Sequence, residues 1–253
     1  SSKLIFKRNR IFFYDNNSKY NFQEYEGILI NKKNTDINQF KSLLNQSKKL
    51  RIYSSLEWCE LFLEISPLDL IDDNDFYKKL KNYKSNFIFH TFKRAFEFIC
   101  SLVIFILCIP IIILFSILVF FQDGCPLFYS QKRTGLNNKV IKIFKIRSMK
   151  IDSEKNGPQW SSNNDPRVTL IGKFIRKKRI DELPQLLSVV KGDLSLIGPR
   201  PERPEIDQTL EREIISYYKR YIVRPGITGW AQVNYPYGAS IEDAKIKQSY
   251  DLY

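Results

Sequence analysis

FICSLVIFILCIPIIILFSILVFF, residues 98–121, decides how the rest of this chain is read. Its 24 residues carry no charge, and Ser101 and Ser116 are the polar exceptions. As a straight helix at about 1.5 Å per residue it is about 36 Å long, enough to cross a hydrocarbon core of about 30 Å. A buried core helix of this composition fits poorly in a soluble chain of 253 residues. Pro110, near the middle, removes a backbone donor and crowds the preceding turn, so a kink or break is expected there. The flanks bear on topology. Lys78, Lys79, Lys81, Lys84, Lys93 and Arg94 precede the run, with no acid between Phe76 and Glu97. Lys132, Arg133, Lys139, Lys142, Lys145, Arg147 and Lys150 follow it, and Asp123 is the sole acid of residues 122–150. Basic excess favours the cytoplasmic side of a membrane segment, and here both ends show it. A segment broken at Pro110 that comes and goes through one leaflet satisfies both flanks. A straight span leaves one basic cluster outside.

The remaining composition narrows the chemistry. With 43% hydrophobic and 26% charged residues the chain is neither disordered nor low-complexity. Lys and Arg number 40 against 27 Asp and Glu, a net charge of +13, so the natural partners are anionic. The charge gathers beside the apolar run and no nucleic-acid motif accompanies it, which sets nucleic acid aside. His90 is the single histidine, which excludes Ser-His-Asp, Cys-His and histidine-rich metal sites. Cys59, Cys100, Cys108 and Cys125 form no CxxC pair and suit a reducing compartment. Catalysis would therefore rest on carboxylates, basic groups and a hard metal ion. Met149 is the single methionine and the chain opens at Ser1, so a piece of a longer protein is expected.

Residues 1–75 read as a small α/β unit. YEGILI at 25–30 and LRIY at 50–53 look like strands, and residues 35–44 have helical spacing. Ser54 with Glu57 three residues later forms a capping-box pattern opening a helix over 56–63. Strand–helix–strand–helix suggests the end of a Rossmann-like fold, but without a glycine-rich phosphate loop it reads as a regulatory or packing domain with no ligand of its own. Residues 76–92 read as a linker, 93–121 as the membrane segment, and 122–253 as a polar, basic, motif-dense domain. Within the last, residues 127–129 and 139–146 look like strands, the latter alternating apolar and basic side chains.

IDELPQLL at 180–187 is the sharpest local feature, preceded by KFIRKKR at 173–179. Carboxylates at Asp181 and Glu182 directly follow Lys177, Lys178 and Arg179, and a carboxylate beside cations stays ionised. Such a pair can serve as nucleophile or as ligand to a hard ion such as Mg2+. Equally, two acids can simply favour the dipole of a following helix. GDLSLIGPRPERPE at 192–205 holds Arg200 and Arg203 in a proline-flanked turn suited to phosphate oxygens. VRPGITGWAQ at 223–232 adds Arg224, Gly226, Gly229 and Trp230 in a tight loop. Either could be a structural turn.

Together these stretches have a specific likeness. From Lys93 to Tyr253 the chain resembles the bacterial sugar transferases, monotopic polyprenyl-phosphate phosphoglycosyl transferases. The likeness rests on KR at 93–94, PLFYSQKRTG at 126–135, FKIRSM at 144–149, DPRVTLIG at 165–172, DELPQ at 181–185, GDLSLIGPRPERPE, and VRPGITGWAQVNYPYG at 223–238. It implies a partial Rossmann-like α/β unit, a membrane-embedded re-entrant helix, and a mainly helical α+β catalytic domain at the cytoplasmic face of the bacterial inner membrane. It also implies that Asp181 attacks the β-phosphate of a UDP-sugar, that UMP leaves, and that a polyprenyl (undecaprenyl) phosphate takes the sugar phosphate from the carboxylate. This would be the first membrane step of exopolysaccharide, O-antigen or capsule assembly. Mg2+ would sit at Asp181 and Glu182, phosphate groups at Arg147, Arg176, Arg200 and Arg203, and Lys93, Arg94 and Pro110 would form the re-entrant motif. A homodimer is compatible with the likeness. Departures are Glu97, Ile109 and Cys125, where the family commonly has Asp, Ser and no intervening residue; Glu97 can still pair with Lys93 or Arg94 at helical spacing. A membrane-tethered scaffold without catalysis is the competing reading, and the intact acid pair argues against it.

Overall fold

The structure is a computed structural model that describes three strands within residues 1–50, and residues 51–253 apart from 152, 154–164, 237 and 239. The chain divides into two compact units, one ending at Lys78 and the other running from Lys79 to Leu252.

In the first unit β1 (Lys3–Lys7), β2 (Arg10–Tyr14), β3 (Gly27–Ile30) and β4 (Arg51–Ser54) form one sheet in the order β2-β1-β3-β4. β3 and β4 are parallel, the pairing a Rossmann-like unit requires, but β1 is antiparallel to both β2 and β3. The sheet is therefore mixed. The helix expected over residues 35–44 lies outside the described residues. The capping box is present: Glu57 N donates to Ser54 Oγ at 3.1 Å and Ser54 N to Glu57 Oε2 at 2.7 Å. It opens α1 (Ser55–Trp58), which continues as a π-helical turn, Cys59–Leu63, and stops at left-handed Glu64.

The boundary between units falls inside α2 (Asp73–Ser85), so the stretch read as a linker is helical. α3 (Phe87–Asp123) then runs unbroken for 37 residues with Pro110 inside it. The break expected at Pro110 does not occur. Proline removes one hydrogen bond, and the remaining ladder of a strongly apolar helix carries the turn across. α3 ends where Gly124 takes a positive φ and its N–H reaches Phe120 O at 2.8 Å. Glu97, Ser101, Ile112, Ser116 and Val119 are its buried residues, and Phe105, Cys108 and Phe115 pack partly beside them. Their spacings of three and four residues make one stripe along the helix. Ile99, Leu107, Leu114 and Phe121 stay exposed on its other faces.

The rest of the second unit packs along that stripe. β5 (Phe128–Thr134) and β6 (Val140–Ile146) form an antiparallel ribbon, Phe128 opposite Ile146 and Thr134 opposite Val140. α4 (Leu170–Lys177) is capped by Thr169, whose Oγ1 accepts from Gly172 N at 3.0 Å. A 3-10 segment, Ile180–Gln185, leads into α5 (Leu186–Lys191). β7 (Ser195–Ile197) lies parallel to β8 (Gly226–Thr228), and α6 (Pro204–Glu213), α7 (Trp230–Asn234) and α8 (Ile241–Asp251) complete the unit. Ile112, Val119, Ile146 and Ile175 form one core cluster, and Ile141, Ile143, Val189 and Leu194 a second. Glycine is required where β7 meets β8, since a Cβ on Gly226 would stand 2.2 Å from Gly198 N. That contact explains the glycines of the LSLIGP and RPGITG stretches.

Candidate active site

The acid pair sits in the 3-10 segment between α4 and α5. Arg179, directly before it, adopts a left-handed conformation (φ +55°), a strained choice for a non-glycine residue that turns the chain out of α4. Asp181 and Glu182 are buried, with 6% and 7% of their surfaces exposed. An acid pair that only served a helix dipole would stand in water, and burial of two adjacent carboxylates demands counter-charge.

Glu182 receives that charge from three elements. Lys145 Nζ on β6 donates to its Oε1 at 2.9 Å, Arg200 Nη2 donates to the same oxygen at 2.8 Å, and Arg179 Nη1 lies 3.4 Å from Oε2. Burial alone would raise the pKa of Glu182, but Arg200 and Lys145 outweigh it and hold the carboxyl well below the usual carboxylate range. Asp181 behaves oppositely. Burial, reinforced by the neighbouring Glu182 charge, pushes it up to about 6 against the opposing pull of Lys145 and Arg176. One carboxylate is thus permanently charged and committed to cations. Its neighbour titrates close to neutrality, ionised and weakly solvated at physiological pH, as a nucleophile should be.

Of the phosphate-binding residues read from the sequence, Arg200 touches Glu182 and Arg176 acts electrostatically on Asp181. Arg203 donates to Tyr129 Oη at 3.2 Å at the start of α6. Arg147 serves a different place. Its Nη2 donates to Asp123 O at 2.8 Å and Gly124 O at 2.7 Å, so it caps the C-terminus of α3. Lys93 lies 3.8 Å from Glu97, the pairing anticipated at helical spacing, and Arg94 Nη2 donates to Val190 O at 3.0 Å. Of the cations directly before the pair, Arg179 makes the ion pair.

Lys145 does not stand out in the sequence as a site residue. The signal that finds it is parity: Ile141 and Ile143 of β6 are buried, and Lys145 follows on the same face, where an apolar residue is expected. Arg133 does not stand out in the sequence as a site residue either. Its Nη1 donates to Pro201 O at 2.9 Å and bridges to Glu202, tying β5 to the turn that carries Arg200. Much of the DPRVTLIG stretch is structural, with Asp165 gripping Arg167 at 2.8 and 2.6 Å and Gly172 pressed on Ser148 O.

No group of three or more His, Cys, Asp or Glu that could hold a metal occurs among the described residues. A protein-only cage for an ion is therefore absent there. Mg2+ is commonly held by one or two carboxylates, with phosphate oxygens and water completing its shell. The acid pair fits that mode, and among the described residues Asp181 is the member that makes no ion pair.

Fold and site together define an α+β unit built along one long apolar helix, with a buried acid pair in a cationic setting. Residues 88–253 match the family described as Bacterial sugar transferase, and the chain belongs to that family. It is 43% identical over 166 residues to a UDP-N-acetylgalactosamine-undecaprenyl-phosphate N-acetylgalactosaminephosphotransferase of Aeromonas hydrophila, covering 66% of this chain and 39% of that protein. It is 37% identical over 142 residues to a UDP-glucose:undecaprenyl-phosphate glucose-1-phosphate transferase of Escherichia coli (56% and 31%), and 39% identical over 159 residues to an undecaprenyl-phosphate galactose phosphotransferase of Salmonella typhimurium (56% and 32%). In each case the chain spans well under half of the relative's length.

Proposed function

We propose that this chain carries the catalytic part of an enzyme that moves a sugar 1-phosphate from a UDP-sugar to polyprenyl phosphate, releasing UMP. The observation that carries this reading is the division of labour in the acid pair, Glu182 held by three cations and Asp181 left to react. A carboxylate oxygen of Asp181 attacks the β-phosphorus, and the bond from that phosphorus to the bridging oxygen breaks. UMP leaves with the electron pair. The phosphate oxygen of the lipid then attacks the same phosphorus and returns Asp181 to its carboxylate form. Lys145, Arg176 and Arg200 surround the place where phosphate charge develops and stabilise it without reorganising. Mg2+, held by Asp181 and Glu182, would neutralise diphosphate oxygens. The deciding experiment is incubation with UDP-sugar and Mg2+ alone: UMP is expected in an amount comparable to enzyme, before any lipid is added. No UMP until the lipid arrives would point to direct attack by the acceptor.

The membrane reading is monotopic, at the cytoplasmic face of the bacterial inner membrane. α3 is the one helix among the described residues long and apolar enough to cross a bilayer. What supports a same-side topology is that both of its ends engage one polar unit, Arg94 with Val190 and Arg147 with the last carbonyls of the helix. The buried stripe between them lies along that same unit. A helix packed this way lies in the bilayer surface, and its exposed apolar faces meet lipid. Thiol reagents should therefore label His90→Cys and native Cys125 from the same side, in a background lacking the other cysteines. Labelling from opposite sides would establish a span.

A further inference from the structure

A groove of about 750 Å3 opens beside the first turns of α3, outside the acid-pair site, and Arg94 and Arg224 both line it. That volume lies within the common range for ligand sites. The two guanidinium groups come from distant parts of the chain and feel one another's charge. Bringing two cations together is unfavourable unless an anion lies between them. Glu97, whose charge also reaches Arg94, is engaged by Ser195 Oγ and by Lys93. Arg94 Nη1 and Arg224 Nε are buried and have no hydrogen-bond partner among the described residues. Two guanidinium groups lining one groove, each with a nitrogen that the protein leaves unmet, are suited to the forked recognition of a phosphate. The remaining wall is apolar: Phe98 and Ile99 border the groove and are exposed on the membrane-seeking helix.

We propose that this groove binds the phosphate of an anionic lipid, with the hydrocarbon running along Phe98 and Ile99. The proposal rests on the reading that α3 lies in a membrane. Two lipids share the required chemistry, the polyprenyl phosphate acceptor and a phosphodiester lipid of the bilayer, and the test separates them. The full chain is purified and offered a polyprenyl phosphate, phosphatidylglycerol or phosphatidylcholine, and retained lipid is read by native mass spectrometry. The parent should retain at least one of the two anionic lipids in preference to phosphatidylcholine, and Arg224→Gln should lower that retention roughly tenfold. Arg224→Lys should recover only part, because an ammonium lacks the fork. Loss of polyprenyl phosphate assigns the groove to the acceptor, and loss of phosphatidylglycerol assigns it to the bilayer. Should Arg224→Gln fail to fold, Thr91→Glu puts a carboxylate on the exposed rim and should expel the same lipid. Retention within twofold of the parent in both variants overturns the proposal. UMP release is measured on the same preparations. A parent that releases none yet loses lipid on substitution refutes the reaction and leaves the groove standing.

Discussion

Asp181→Asn is expected to abolish UMP release and the sugar-phosphate adduct, and at the same time to make the folded chain more stable. Both results follow from the same burial. An amide oxygen is a poor nucleophile, and loss of a covalent nucleophile costs on the order of 10^3-fold or more. The stability effect has the opposite sign because the native carboxyl is pushed up to about 6 from an ordinary 3.8. A carboxyl with a raised native value favours the fold below pH 4, and that contribution is lost as pH rises through 6. At pH 8 the parent bears the full cost of a buried charge, about 3 kcal/mol at 1.36 kcal/mol per unit, and the neutral amide bears none. A rise in Tm of roughly 5–10 °C is expected at pH 8, shrinking toward zero near pH 4. The acid limb of the parent's UMP release should likewise fall near pH 6. Intact mass after incubation with UDP-sugar checks the chemistry, and thermal unfolding in detergent checks the fold. An adduct on the Asn variant would move the nucleophile elsewhere, and a lower Tm at pH 8 would mean that Asp181 is structurally paired.

The adjacent substitution should do the reverse to the fold. Glu182→Gln leaves Lys145, Arg179 and Arg200 converging on a neutral amide. Removing one partner of a buried ion pair costs about 3–5 kcal/mol, because the cations remain without counter-charge. Arg179 is more than half exposed and adds little to that cost, so Lys145 and Arg200 carry it. Glu182 titrates below its ordinary value of 4.5, so its contribution is present above pH 4.5 and is lost as pH falls further. A Tm lowered by roughly 10 °C at pH 7 is expected, with the gap narrowing in acid. Turnover should fall too, since Arg200 and Lys145 lose the group that aims them, while traces of the adduct on intact Asp181 survive. A Glu182→Gln chain as stable as its parent would show that the three cations find other partners. Opposite stability effects from two neighbouring carboxylates are hard to obtain unless one is held by cations and the other is not.

Several elements are legible from short stretches because their causes are local. The capping box at Ser54 and Glu57, the strand over residues 140–146, and the apolar helix each follow from side chains within a few positions of one another. The β1–β2 hairpin passes unnoticed, since two five-residue strands of mixed apolar and basic character carry little periodicity. The expected break at Pro110 fails for a related reason. Local sterics favour an interruption there, but the helix is not broken because its remaining turns bond within themselves.

By itself the sequence determined that the chain carries an apolar segment long enough to cross a bilayer, that it offers a single histidine, and that Asp181 and Glu182 are the groups to watch. These conclusions need only composition and adjacency. Only the tertiary structure decided which carboxylate is which. Lys145 comes from β6 and Arg200 from the turn after β7, and both converge on Glu182 rather than on Asp181. It also sent Arg147 to the end of α3 and set Arg94 beside Arg224. Adjacent acids look alike along the chain, and the charge each retains depends on burial and on cations brought from elsewhere by the fold.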